Sequence, residues 1–442
     1  MSNHLSKGLR KVIIASSVGT IIEWYDFYIF GTLAPILATR FFPPGNEVAA
    51  FLFTLAAFGV GFVVRPFGAL VFGRLGDIVG RKYTFMLTLL LMGGSTFAIG
   101  LIPDYKSINI LAPIIVFVLR ALQGLALGGE YGGATIYVAE HSPENKRGYF
   151  TSFIQTTATL GLFISIGVIL GCKAMLGEEV FSEWGWRIPF LVSIILVIIS
   201  YFIRKRMDES PEFAKLKQEG KTSKNPLKES FTKWSNLKWV LIALFGAAAG
   251  QGVVWYTGQY YAMNFCIKTL HINSTQVQKI MLLVLLAAVP LFILFGKLSD
   301  HIGRKWIMLT GMLLAAVFYL PIYKAMEGLT AGLSPIEGII TLSQDKVWIM
   351  AGLIFIQLVF VAMAYGPIAA FLVELFPARI RYSSMSLPYH IGNGVFGGLT
   401  PLIAESLVVG TKNIYAGLYY PIAVALMTVV VGVIFIRKRI NE

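Results

Sequence analysis

Residues 73–82 read GRLGDIVGRK, and residues 296–305 read GKLSDHIGRK. Six of the ten positions are identical, among them Gly73 and Gly296, Asp77 and Asp300, and Arg81 and Arg304, at an offset of 223. A second set recurs at an offset of 234, where Tyr131, Gly132, Glu140, Pro143 and Arg147 match Tyr365, Gly366, Glu374, Pro377 and Arg381. Two matches in the same order mark an internal duplication. The 11-residue difference fits an insertion within 325–346 of the second copy.

Each copy lies between long apolar runs. The chain has 442 residues, 56% of them hydrophobic and 14% charged, with a mean hydropathy of +0.71. Soluble domains are about 45–50% apolar and about 25% charged. A soluble interior of this size cannot hold that much apolar side chain, and disorder fails for the same reason. A span needs about 20 mostly apolar residues. Twelve such runs start near 12, 48, 83, 110, 149, 187, 237, 277, 305, 347, 383 and 415. They lack the period-two alternation of a membrane barrel. The connections are short except 206–236 and 325–346. The expected fold is an all-α membrane protein, with twelve transmembrane helices in two pseudo-symmetric six-helix bundles. Residues 1–205 form the first bundle, 206–236 a cytoplasmic linker and 237–442 the second. Two parallel halves around an axis along the membrane normal are a transporter architecture with its site between them.

The net charge of +14 would suggest nucleic acid in a soluble protein. In a membrane chain it reads as the excess of Lys and Arg in cytoplasmic loops. With the N-terminus inside, the inner segments hold 26 Lys and Arg and the outer ones nine. Both termini are therefore expected in the cytoplasm, and the first apolar run is read as a span rather than a cleaved leader. Cys172 and Cys266 offer no disulfide framework, and the five histidines no metal spacing. No phosphate-binding loop of the GxxxxGK[ST] type occurs, so neither ATP drive nor a cofactor is expected.

Charge inside a span is costly and marks functional candidates. The intramembrane set is Glu23, Asp26, Arg65, Arg120, Glu130 and Glu405, with His390 as a titratable companion. At 1.5 Å of rise per residue, Asp26 lies roughly 24 Å along its span and Arg120 roughly 31 Å from the inner end of its own. The two are placed to meet near mid-membrane. Glu23, Arg65 and Glu130 lie closer to the inner side and are expected to cluster, as a second proton site or a gate. Glu405 reads as interfacial.

Span 7 carries QGVVWYTGQYYAMNF, in which Gln251, Trp255 and Gln259 share a helical face. Polar and aromatic linings of this kind orient small metabolites. Gln155, Gln357, Tyr365 and His390 are weaker lining candidates. The repeated Gly73, Asp77 and Arg81, with Asp300 and Arg304, read as gate machinery.

These residues carry a resemblance. The stretch 73–82 and its copy resemble the GxLxDxxGRK signature of the major facilitator superfamily, and 120–148 resembles that family's fourth-span signature. EWYDFYIFG at 23–31, VRPFGALVFGRLGD at 64–77 and LQGLALGGEYGG at 122–133 resemble its metabolite:proton symporter group. Members of that group carry organic acids, shikimate, or proline and betaine. The resemblance implies a multi-pass protein of the bacterial inner membrane that uses the proton as coupling ion. Asp26 and Arg120 match the coupling pair of proton-coupled sugar carriers in the same superfamily. The chain ends within about ten residues of span 12, without the long helical tail of the osmosensing proline/betaine carriers.

The expected function is proton-coupled uptake of a small polar metabolite, an organic acid of di/tricarboxylate or shikimate type, by alternating access. The alternatives are a proline/betaine-type zwitterion symporter, an uncoupled facilitator and a drug exporter. The expected partners are the substrate, protons and the lipid bilayer, and the chain is expected to work as a monomer. A sensor would need a soluble signalling domain and an enzyme a catalytic constellation; the sequence displays neither.

Overall fold

The computed structural model describes residues 2–78, 81–129, 131–205, 218, 226–335, 338–377 and 380–436. The side chains of 2–12, 15, 73–78, 81–85, 131, 133, 137, 203–205, 226–227 and 382 lie outside that description.

Six spans form each half. Span 1 is Ser2–Thr32, bent by 63° into Ala34–Phe41, where Pro35 cannot donate a hydrogen bond back into the preceding turn. Span 2 is Glu47–Phe72, with Asn46 capping its first turn by accepting from the Ala49 amide at 2.9 Å. Span 3 is Arg81–Leu101; span 4 is Leu111–Gly128, continued by Tyr131–His141. Span 5 is Arg147–Leu176, and span 6 is Glu178–Gly185 bent by 64° into Arg187–Phe202. Spans 7 to 12 are Trp234–Thr269, Ser274–Ile302, Arg304–Gly328, Gln344–Leu375, Ser383–Thr411 and Ala416–Phe435.

Gly303 alone joins spans 8 and 9, at a φ of +96°. A side chain there would strain the backbone, which accounts for the glycine of the GRK triplet. The segment read as a loop over 325–346 is shorter than expected. Span 9 runs on to Gly328, span 10 starts at Gln344, and the intervening strip pairs Ile340 with Ile272. A helix Pro226–Thr232 lies within the range read as linker.

The outer faces of the helices are apolar and exposed, as at Phe53, Val71, Ile114, Val118, Ile195 and Phe202. Such faces suit hydrocarbon, where each helix satisfies its own backbone. Small residues let helices close up inside the bundle. A Cβ on Gly124 would lie 1.9 Å from the Gly61 carbonyl oxygen, and one on Gly128 would lie 2.0 Å from that of Arg65. The glycines of 122–133 thus bring span 4 to backbone contact with span 2 and fix where Arg65 emerges.

Spans 5 and 8 run in opposite directions across the seam between the halves. The end carrying Arg147, Arg304 and Arg381 is the basic end; the opposite end carries Lys173.

Candidate transport site and its gates

Asp26 and Arg120, expected as a pair, form no ion pair here. Neighbouring residues on a helix point about 100° apart, and it is Phe27 that faces Arg120. The Arg120 guanidinium donates to the carbonyls of Phe27 at 3.3 Å, Ala57 at 3.4 Å and Phe58 at 3.4 Å. It also donates to Gln123 Oε1 at 2.6 Å, and Gln123 in turn donates to Thr96 Oγ1 at 2.7 Å. The Phe27 ring lies beneath it at 4.0 Å. Asp26, only 1% exposed, turns toward spans 3 and 6 instead. A Cβ on Gly93 would lie 3.5 Å from its Oδ2 and 1.8 Å from a Val197 methyl. Neither Asp26 oxygen has a hydrogen-bond partner among the described residues.

Arg65 stands at the break in span 2 after Val64, where Pro66 follows. Its guanidinium lies over Phe62 at 4.0 Å, Phe27 at 4.6 Å and Trp24 at 5.1 Å. Its Nε and Nη2 have no hydrogen-bond partner among the described residues. Across the seam, a Cβ on Gly394 would lie 3.8 Å from its Cδ. Tyr28, Tyr256, Tyr365, Tyr389 and His390 are within its electrostatic reach. Glu23 is buried. Glu130 lies outside the described residues, so the expected inner cluster is represented by Glu23 and Arg65 alone.

Neutral groups from both halves meet at the seam. Tyr365 and Tyr389 share a hydroxyl–hydroxyl bond of 3.0 Å, and Asn393 donates to Tyr389 at 2.9 Å. Gln155 donates to the Tyr365 carbonyl at 3.3 Å. Trp24 stacks on Tyr28 at 4.9 Å, and Tyr28 on Trp255 at 5.4 Å. The Tyr260 hydroxyl donates to the Tyr28 carbonyl at 3.1 Å. Gln251 and Gln259 are buried, and neither amide group has a partner among the described residues.

Polar contacts join the two halves at both ends of the seam. At the basic end, Asp300 accepts the Gly148 and Tyr149 amides, each at 2.9 Å, and so caps span 5 from the other half. Arg304 donates to Asp300 at 2.6 Å and to Glu374 at 2.9 Å. Arg381 donates to Glu140 at 3.0 Å, also across the halves. Gly73 lies in span 2's helical extension and Arg81 heads span 3; the side chains of Asp77 and Arg81 lie outside the description. At the opposite end, Lys173 pairs with Glu178 at 3.2 Å and reaches Ser274 and Thr275 of span 8 at 3.5 and 3.4 Å.

Residues 11–229 match the family Sugar (and other) transporter, and residues 240–441 match the Major Facilitator Superfamily. The inner membrane metabolite transport protein YhjE of Escherichia coli K12 is 36% identical over 93% of this chain and 90% of its own. The chain belongs to the major facilitator superfamily. It is a membrane transporter with a twelve-helix fold, and not an enzyme. The proline/betaine transporter of the same strain is 33% identical over 96% of this chain and 83% of its own. The shikimate transporter of that strain is 32% identical over 95% and 91%. Among solved structures, the xylose transporter XylE from E. coli in a partially occluded inward-open conformation superposes with a TM-score of 0.72, at 18% identity, covering 98% and 99% of the two chains.

Within this superfamily fold, sequence reading passed over Tyr28, Tyr389 and Asn393, while Tyr256 and Tyr260 were legible as part of the polar and aromatic lining of span 7. Glu140 and Arg381 were visible as members of the second repeat, yet only the fold shows that they pair with each other across the halves.

Proposed function

We propose that the protein is a proton-coupled symporter that brings a small carboxylate-bearing metabolite into a bacterial cell across the inner membrane. The observation that carries this reading is Arg65, buried at the seam with two guanidinium nitrogens unbonded among the described residues. A guanidinium presents a fork that fits a carboxylate in two parallel bonds. Arg120 is satisfied by carbonyls and Gln123, so we assign it to holding spans 1, 2 and 4 in register rather than to direct substrate contact. Asp26 is the candidate proton carrier, a carboxylate well inside span 1 and free of hydrogen-bond partners among the described residues.

Transport then proceeds by alternating access around the seam. The Asp300, Arg304, Glu374 and Arg381–Glu140 contacts serve as the cytoplasmic closure, with both termini on that side, and a single chain suffices. A zwitterion symporter is the second reading, favoured by the likeness to the E. coli proline/betaine transporter.

The test is uptake into proteoliposomes from a panel of carboxylates, zwitterions and neutral sugars, with an inward proton gradient and with an uncoupler. Gradient-driven accumulation of a carboxylate supports the proposal. Equal uptake with and without the gradient makes the protein a facilitator, and outward pumping of bulky apolar compounds makes it an exporter.

A further inference from the structure

The corner between spans 7 and 8 meets the first half on both of its sides. Before the corner, Lys268 crosses the seam to span 2, where its Nζ lies 4.9 Å from the centre of the Phe51 ring. After the corner, Ser274 and Thr275 receive Lys173 of span 5 at 3.5 and 3.4 Å, and the Thr275 hydroxyl donates to Glu178. A half-buried ammonium over a ring is a weak contact on its own.

The connection between spans 9 and 10 ties this corner down. His271 adopts a φ of +52°, and its carbonyl accepts the Ile340 amide at 2.7 Å. The Asn273 amide donates back to the Ile340 carbonyl at 2.9 Å. In the first turn of span 8, Gln276 continues the pairing with its side chain. Its Nε2 donates to the Leu342 carbonyl at 2.8 Å, and its Oε1 accepts the Leu342 amide at 2.9 Å. A primary amide offers a donor and an acceptor side by side, so it stands in here for a strand backbone. The backbone amide of Gln276 donates to Asn273 Oδ1 at 3.0 Å, which caps span 8. Ile272 and Leu342 are buried. Lys346 donates to the Leu329 carbonyl at 2.8 Å and so holds the two ends of the connection together.

The first half is built differently. There Arg40, ahead of the corner between spans 1 and 2, meets Asp104 after span 3 at 3.6 Å, an ion pair of partly exposed side chains. Such a pair constrains little. The paired segment 340–342 lies within 325–346, the range that holds the extra residues of the second copy.

We infer that the corner between spans 7 and 8 moves as one rigid jaw, so that the Lys268 and Thr275 contacts close and open together, with Gln276 as the positioning residue that couples them. The inference rests on the alternating-access reading above and not on the identity of the cargo. Two contacts that must break together close this end cooperatively, whereas independent contacts would let it fray on one side.

The test uses the full-length protein in lipid nanodiscs, with distances between spin labels read by pulsed electron resonance. In a background lacking Cys172 and Cys266, labels at Val48 and Thr269 report the Lys268 side. Labels at Met175 and Lys279 report the Thr275 side. Lys268→Met and Thr275→Val are each expected to raise the open fraction at both pairs by the same factor, about fivefold or more. Adding Gln276→Leu should separate the two sides, each substitution opening its own side and changing the other less than about twofold. Gln276→Glu keeps the acceptor for the Leu342 amide but loses the donor to its carbonyl. It should give partial separation, and it replaces Gln276→Leu if that variant fails to fold. A merely structural glutamine would lower the melting temperature without separating the pairs. Opening of one side alone in the parent background, or joint opening that survives the Gln276 substitutions, overturns the inference and leaves alternating access standing. If neither Lys268→Met nor Thr275→Val opens either pair, these contacts do not close this end, and the alternating-access reading of this end fails together with the inference.

Discussion

Asp300, near the end of span 8, accepts the Gly148 amide at the head of span 5 at 2.9 Å. With Tyr149 bonded to its second oxygen, the carboxylate caps a helix that belongs to the other half of the molecule. A carboxylate at a helix N-terminus meets both free amides and the positive end of the dipole. The contact between the halves is therefore a helix cap, and the gate we propose opens when that cap parts.

Asp300→Asn keeps one acceptor but loses the charge that faces Arg304 and the helix end. Charged hydrogen bonds contribute about 1.5–3 kcal/mol. The basic end should open more often, with cysteine probes there reacting at least about tenfold faster. Unchanged labelling would reduce the repeated motif to a marker of membrane topology.

Gly148→Val tests the same closure by steric means. Even one carbon at this position would sit 2.4 Å from the Gly296 carbonyl oxygen. The variant should fold, because the clash lies between halves, but fail to close the basic end. Transport should be lost while cross-linking across the opposite end persists. Wild-type uptake would mean that this contact is not made during the cycle.

Asp26→Asn should abolish accumulation against a gradient yet retain counterflow, since exchange of substrate for substrate moves no net proton. Proton-driven uptake measured beside counterflow separates the two. Continued accumulation would pass the coupling role to Glu23, Glu130 or His390.

Arg65→Lys should raise KM about tenfold or more with a smaller effect on the maximal rate, because a point charge cannot reproduce the fork. Arg120→Lys should behave differently. It breaks bonds to three backbone carbonyls and Gln123, so it should lower the melting temperature. Reversed outcomes for the two arginines would assign the substrate anchor to Arg120 instead.

The fold was legible because its signals are long. Twelve apolar runs and a duplicated GRK loop need no tertiary information. The site was legible in composition but not in pairing. Sequence depth brought Asp26 level with Arg120, yet depth along a helix does not fix azimuth, and one residue of rotation gave that place to Phe27. Arg65 was expected at the inner side with Glu23 and Glu130. It emerges where the span breaks at Val64 and the close approach of Gly128 sets its exit, and Glu130 lies outside the described residues. Hydropathy records neither event.

Spans 5 and 8 are fastened at both ends, by Asp300 on Gly148 and Tyr149 at one and by Lys173 and Glu178 on Ser274 and Thr275 at the other. In the cycle we propose, engagement of both fasteners insulates: neither solute nor ion then has a continuous route, and the membrane voltage is preserved between turnovers. The side on which a passenger alights depends on which fastener yields first. The resting bias of the carrier is thus written in two small clasps at the ends of the seam, remote from the residues that recognise the cargo.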